Sequence, residues 1–148
     1  LKYTEAILAE SSMRLYPPAW VIGRTVVEEH TFGGYQIRPG SLVLASPFIM
    51  QRDARFWENP EAFIPERWEK LTVKESGSRN IYFPFGGGVR RCIGESFAWS
   101  ESILLVATIA RKWKLRLVAT QEIGLNPQIT LRQKYGMKMK VEFAETSN

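Results

Sequence analysis

Three consecutive glycines, two arginines and the single cysteine of the chain lie within seven residues of one another in FPFGGGVRRCIGE, residues 83–95. Without Cβ atoms, Gly86, Gly87 and Gly88 let the backbone turn tightly and approach a flat or bulky group closely. Directly afterwards, from about Ile93 to Trp113, apolar residues at Phe97, Ile103, Leu104 and Ala107 mark a helix. A glycine loop therefore delivers Cys92 to a helix start. Unpaired N–H groups at such a start favour negative charge, so a thiolate there is stabilised, and Arg90 and Arg91 act in the same sense.

Several uses of that thiol are open at this point. A lone cysteine can simply be a small buried hydrophobe. A glycine loop before a helix can cradle phosphate, but the Lys-Ser/Thr of a phosphate-binding loop is absent. Zinc needs further ligands, and the chain offers no second cysteine and His30 as its only histidine. A Cys–His nucleophile pair would need the same His30, far away in a strand-and-turn region. With Phe83 and Phe85 as apolar shielding and arginine as anchor, the thiolate suits the axial position on a haem iron. There it pushes electron density onto the metal and favours O–O bond cleavage.

The rest of the chain alternates in character. Tyr3, Ile7, Glu10 and Arg14 share one helical face, and Pro17-Pro18 stops that helix. Val26-Val27, Tyr35–Ile37 and Leu42–Leu44 favour strands separated by Gly33-Gly34 and Pro39-Gly40, which predicts a small antiparallel meander. Short helical candidates and breakers fill Pro47 to Trp68, and residues 69–82 read as a polar loop. Leu115–Val118 and ITLRQKYGMKMKVEF, with Gly136 between two alternating segments, read as strands. The expected class is mainly α with small antiparallel β-sheets.

One cysteine leaves no internal disulfide, which fits a reducing compartment. No apolar run reaches the roughly 18–20 residues of a membrane span, and residues 1–148 are not expected to contain a signal peptide. The net charge of +5 comes with no basic helix or aromatic platform, so nucleic acid is not expected. Arg111-Lys112 with Lys114 and Arg116 could receive an acidic partner. The chain opens on Leu1 already in a helical pattern, which leads to the expectation that it belongs to a longer polypeptide.

Phe85-Gly86-x-Gly88-x-Arg90-x-Cys92-x-Gly94 resembles the haem-binding loop of the cytochrome P-450 family, the haem-thiolate monooxygenases, and Phe97-Ala98 with Glu101 continue the likeness. SMRLYPPAW resembles the family's helix end before a substrate-facing strand. FWENPEAFIPERW resembles the segment carrying its Pro-Glu-Arg motif, here Pro65-Glu66-Arg67, and TLRQKYGMKMKV its closing β-hairpin. The likeness runs from Tyr3 to about Glu142. It implies that residues 1–148 are the C-terminal portion of one such domain, incomplete at the N-terminus, with the haem-binding loop at about 83–94.

By this resemblance Cys92 is the axial thiolate of haem b (iron protoporphyrin IX), at once catalytic residue and metal ligand. Phe85, Gly86 and Gly94 line the cofactor, while Arg90 and Arg24 reach its propionates, a task suited to guanidinium geometry. Ala19, Trp20, Val21 and Ile129 fall where the family lines its substrate pocket. Glu10, Arg14 and Arg67 form a buried structural network. The implied activity inserts one oxygen atom from O2 into a small organic substrate, using electrons from a ferredoxin, a flavodoxin or a flavin reductase. Charge suggests that the donor docks near Arg90, Arg91 and Lys112. The expected setting is the cytoplasm, in a soluble, bacterial-type enzyme, with room left for a membrane anchor upstream. The oxygen-activating helix and most of the pocket are also expected upstream, so the segment alone is expected to be inactive. Two alternatives stand beside this reading: a peroxide-using peroxygenase of the same fold, and a non-catalytic haem-binding module.

The chain departs from the family in one spacing. The family sets its Glu and Arg three residues apart, whereas Glu10-Ser11-Ser12-Met13-Arg14 sets them four apart. An extra residue turns the preceding helix by about 100° unless a π-bulge absorbs it. Either spacing keeps both side chains on one face, so the ion pair is expected to survive. Gln51, where relatives often carry His before Arg52-Asp53, and Gln133, where they often carry Pro, are smaller departures, expected to leave the iron chemistry untouched.

Overall fold

The computed structural model describes residues 1–70 and 80–144. Helix α1 (Lys2–Leu8) runs without a break into a π-helical turn, Ala9–Leu15. There the Tyr16 N–H reaches back five residues to Ser11 O at 2.9 Å, where an α-helix would reach four. The wider turn houses the extra serine without rotating α1 away from the core. Ala6, Leu8 and Ala9 before the insertion and Met13, Arg14 and Leu15 after it are all buried. Ser11 Oγ donates to Ile7 O at 2.7 Å, whereas Ser12 offers only a 3.4 Å contact to the Ser11 hydroxyl. Deleting Ser12 should return the turn to α-helix and keep Glu10 paired with Arg14, changing the unfolding free energy in a urea titration by no more than about 1 kcal/mol. A loss of about 3 kcal/mol, the scale of a broken buried ion pair, would show that the π turn is required.

The next four strands are β1 (Ile22–Thr25), β2 (His30–Phe32), β3 (Tyr35–Ile37) and β4 (Leu42–Ala45). They do not form the single meander that the sequence suggests. β1 pairs antiparallel with β4, setting Ile22 opposite Ala45, while β2 and β3 make a separate hairpin. Gly33 and Gly34, at φ +58° and +84°, supply the turn between β2 and β3. Strand β1 also lies before Val26-Val27; Val26 instead exchanges backbone hydrogen bonds with Ser41 O and the Gly40 N–H at the end of the β1–β4 ribbon.

Helix α2 (Pro47–Met50) is capped by Ser46, whose Oγ accepts from the Ile49 N–H, and α3 spans Arg67–Lys70. The predicted loop at 69–82 thus begins inside α3, and its part at 71–79 lies outside the described residues. Helix α4 covers Glu95–Lys112, starting two residues later than the sequence suggests because Ile93-Gly94 form a turn. It leads directly into β5 (Trp113–Leu117), followed by β6 (Leu125–Pro127), β7 (Leu131–Gln133) and β8 (Met139–Phe143).

The closing hairpin differs from the expected one. It is β6–β7, residues 125–133, and not TLRQKYGMKMKV, because β7 and β8 pair with different partners on either side of Gly136. Strand β8 pairs with β5. Their register sets Trp113, Leu115 and Leu117 opposite Phe143, Val141 and Met139 on one face, and Lys114 and Arg116 opposite Glu142 and Lys140 on the other. Among the described residues the sheets are four two-stranded antiparallel ribbons, and helices carry the rest of the regular structure. No described helix is long and apolar enough to cross a membrane.

The core sits between the first helix and the glycine loop. Ala6, Ala9 and Met13 pack against Trp57, Trp68, Ile81 and Tyr82, with Trp68 and Tyr82 rings 4.8 Å apart. Phe85 and Trp99 close its edge at 6.3 Å between centroids. The loop carrying Cys92 is therefore backed by aromatic packing, which fixes its position relative to the first helix.

Candidate active site

The loop is built from its first residue. The Phe83 N–H donates to Gln51 Oε1 at 3.1 Å, and Phe83 O accepts from the Gly86 N–H at 2.9 Å. Gly86 and Gly88 take φ of +75° and +66°, left-handed values that side chains with a Cβ resist. A 3₁₀ turn at Gly88–Arg90 follows, and the Cys92 N–H donates to Phe85 O at 2.9 Å, closing the loop. Phe85 packs against Trp99 with the ring planes tilted at 49° and supports the loop from the core side.

The outer side is open. Cys92 is exposed, and its neighbours Val89 and Ile93 have relative exposures of 101% and 104%. A Cβ placed on Gly87 or Gly88 would meet nothing within 4 Å. Thiol, bare backbone and two fully exposed aliphatic side chains together make a surface suited to a flat apolar group. Gly94 is the N-cap of α4, so Cys92 stands just before the helix and not in its first turn. Arg91 is engaged with Glu95, one of its contacts measuring 2.6 Å. Its charge is thereby compensated locally, in contrast to the sequence expectation that both arginines serve the thiolate. Arg90 makes no ion pair among the described residues.

Behind the loop, Glu10 and Arg14 are both fully buried. Arg14 donates from Nε to Glu10 Oε2 (2.9 Å) and from Nη2 to Glu10 Oε1 (2.8 Å), the two-point geometry that carboxylate and guanidinium share. Arg67 Nε adds a third donor to Glu10 at 2.9 Å, so the structure brings Glu10, Arg14 and Arg67 together despite the extra serine. The Ile64 N–H and Trp68 Nε1 complete the shell of the carboxylate. Arg14 spends its remaining donors on Gln51 O, Pro60 O and Ala62 O, and its guanidinium lies 5.3 Å from the Trp57 ring. Sequence reasoning missed Trp68 and Gln51. Trp68 follows Arg67 directly, and its neighbourhood to that motif was the available signal; Gln51 stood out only as a departure from the family, with no role attached to it.

Burial pushes the Glu10 carboxyl up, but the Arg14 side chain, the Ile64 amide and Arg67 together hold it below its ordinary value near 4.5. A carboxyl depressed by folding stabilises the fold above its unfolded pKa, and that contribution is lost as pH falls through the folded value. Urea midpoints should thus stay flat from neutral pH to about pH 5 and fall below about pH 4.5. Glu10→Gln should flatten part of that acid limb. The remainder includes Asp53, which Arg55 holds down at about 2. An unchanged limb in Glu10→Gln would sink the assignment.

The other predicted residues gather on the N-terminal side of β1. The Leu131 N–H donates to Pro18 O at 2.9 Å, and Trp20 Nε1 donates to Gln128 O at 2.8 Å. The Ala19-Trp20-Val21 segment is thereby tied to the β6–β7 hairpin, whose tip carries the exposed Ile129. Trp20 uses its indole N–H in that tie. Next along the chain, Ile22 Cδ1 comes within 3.6 Å of a Cβ placed on Gly86, so β1 borders the glycine loop. Arg24 shares a strand face with Ile22 by the two-residue period, and its guanidinium turns back to Gly23 O.

A family model described as Cytochrome P450 matches residues 1–141. Cyclooctatin synthase from Streptomyces melanosporofaciens is 40% identical over 131 residues, covering 88% of this chain and 28% of that protein. Carotene epsilon-monooxygenase, chloroplastic, from Arabidopsis thaliana is 33% identical over 144 residues, covering 95% of this chain and 26% of that protein. Among solved structures, the haem domain of cytochrome P450DA superposes with a TM-score of 0.82 at 26% identity, covering 96% of this chain and 31% of that one. The chain thus spans about a quarter to a third of the length of the relatives it matches.

Proposed function

Because the chain belongs to the cytochrome P450 family, we propose that residues 1–148 form the thiolate-bearing C-terminal portion of a haem monooxygenase. The observation that carries this reading is the exposed Cys92 at the end of a glycine loop whose outer side is bare backbone flanked by Val89 and Ile93. Those residues fit haem b. A porphyrin is flat and mostly apolar, and it needs one soft ligand with room around it.

In this assignment Cys92 Sγ would hold the haem iron, and it would bind as thiolate. Gly86, Gly87, Gly88 and Gly94 keep side chains out of the ring's way. Val89 and Ile93 keep water from the sulfur once the face is covered, and Phe85 holds the loop against Trp99. Arg90, unpaired among the described residues, and Arg24, on the strand face shared with Ile22, are assigned to the propionates. Ala19, Trp20, Val21 and Ile129 are assigned to the substrate side, where the Trp20–Gln128 bond joins the two segments that carry them. When bound, haem supplies O2 activation, delivering one oxygen atom to an organic substrate and the other to water with electrons from a donor protein. Substrate, oxygen and electron donor meet in the full-length polypeptide that carries this segment, and the lone cysteine favours a reducing, cytoplasmic setting.

Spectroscopy tests the reading. The full-length polypeptide, reduced under carbon monoxide, should show the red-shifted Soret band of thiolate-ligated haem. An unshifted band would overturn the assignment of Cys92.

A further inference from the structure

Gln51 is fully buried, and each polar atom of its side chain is engaged. Nε2 donates to Met13 O at 2.7 Å and to Arg14 O at 3.0 Å, carbonyls at the end of the π turn. Helix-end carbonyls lack intrahelical partners and need such donors. Oε1 accepts from the Phe83 N–H at 3.1 Å, and the backbone carbonyl of the same residue accepts from Arg14 Nη1 at 2.8 Å. One residue thus joins the buried ion pair to the first residue of the cysteine loop. From Phe83 the connection continues through its carbonyl to the Gly86 N–H, and the loop closes from Phe85 O to the Cys92 N–H.

We propose that Gln51 is a positioning residue for Cys92: its amide fixes the start of the cysteine loop to the Glu10–Arg14 network, and so sets where the thiolate stands. The proposal rests on the haem-thiolate reading above. It acts through Phe83, and the chemistry of the site explains why an amide suits it. The site asks for two donations and one acceptance without charge, and a primary amide supplies all three. A histidine offers one donor and one acceptor, so it can keep the Phe83 bond and lose one carbonyl. A glutamate keeps the acceptor, loses both donors and brings an uncompensated charge into the core.

The test uses the full-length polypeptide and reads two signals besides activity. The first is hydrogen exchange at the Phe83 amide, measured with and without haem. The second is the fraction of reduced, carbon monoxide-bound protein showing the thiolate-shifted band. Gln51→Met, close in volume but without the amide, should speed Phe83 exchange on the order of tenfold and lower the thiolate-shifted fraction. Gln51→His should restore most of both. A Gln51→Met protein that melts earlier but keeps wild-type Phe83 protection and a full thiolate-shifted band would overturn the proposal, since a merely structural role predicts that pattern. If Gln51→Met fails to fold, Gln51→Asn takes its place. It keeps the amide but is one methylene short of spanning both sides, and unchanged Phe83 exchange in it overturns the proposal equally. If the wild-type band is unshifted, the haem-thiolate reading has failed on its own account. Phe83 exchange in haem-free protein still reports separately on Gln51.

Discussion

Cys92→Ser should abolish the thiolate-shifted carbon monoxide band of the full-length polypeptide and bring substrate oxygenation to background. The expected loss exceeds the roughly 10–100-fold that follows from removing an outer-shell partner of a metal site. Serine preserves the shape of the residue, so the Cys92 N–H to Phe85 O bond that closes the loop should persist. Since Cys92 is exposed, the stability of the haem-free protein should change by no more than about 0.5 kcal/mol. What changes is the donor atom. A neutral hydroxyl is a hard, weak donor, whereas thiolate sulfur is soft and pushes electron density toward iron. Retention of the shifted band in the serine variant would remove Cys92 from the mechanism.

Glu10→Ala should destabilise the segment strongly. The carboxylate accepts from Arg14 Nε and Nη2, Arg67 Nε, Trp68 Nε1 and the Ile64 N–H. Its removal strands a fully buried Arg14 guanidinium with backbone carbonyls as its remaining partners. Breaking a buried pair in this way costs about 3–5 kcal/mol, a large share of the roughly 5–15 kcal/mol that holds an ordinary domain together. Glu142→Ala provides the contrast. It breaks the exposed pair with Arg116 at 2.9 Å, a class of contact worth about 0–1 kcal/mol. Equal urea midpoints for the two variants would show that the Glu10 network does not bear on stability.

Local chemistry was legible in the sequence and long-range pairing was not. The glycine run, the helix stop at Pro17 and the helix after Cys92 follow from backbone preferences that act over a few residues. The π turn was legible only as one way to absorb the serine that the family spacing shows to be extra between Glu10 and Arg14. Strand partners depend on residues far apart. β1 skips the β2–β3 hairpin to reach β4, and β5 reaches β8 across another ribbon, neither of which the period of the side chains records. β6 was missed because Leu125-Asn126-Pro127 carries neither alternation nor strand-favouring residues. Among the candidate-site residues, the family likeness singled out Cys92, Glu10, Arg14 and Arg67. Gln51 stood out only as a departure from the family pattern, and its contacts were not legible because they depend on three partners drawn from two distant segments.

The β5–β8 ribbon and the π turn differ in what they allow the gene to do. A helix can take in one residue by widening a turn, as Ala9–Leu15 does, and the side chains upstream still meet the core. Strand side chains alternate, so one inserted residue within 113–117 or 139–143 would exchange the face of Trp113, Leu115 and Leu117 with the face of Lys114 and Arg116. Length variation among descendants of this sequence should therefore accumulate in the first helix and in the turns, and stop at the edges of that ribbon.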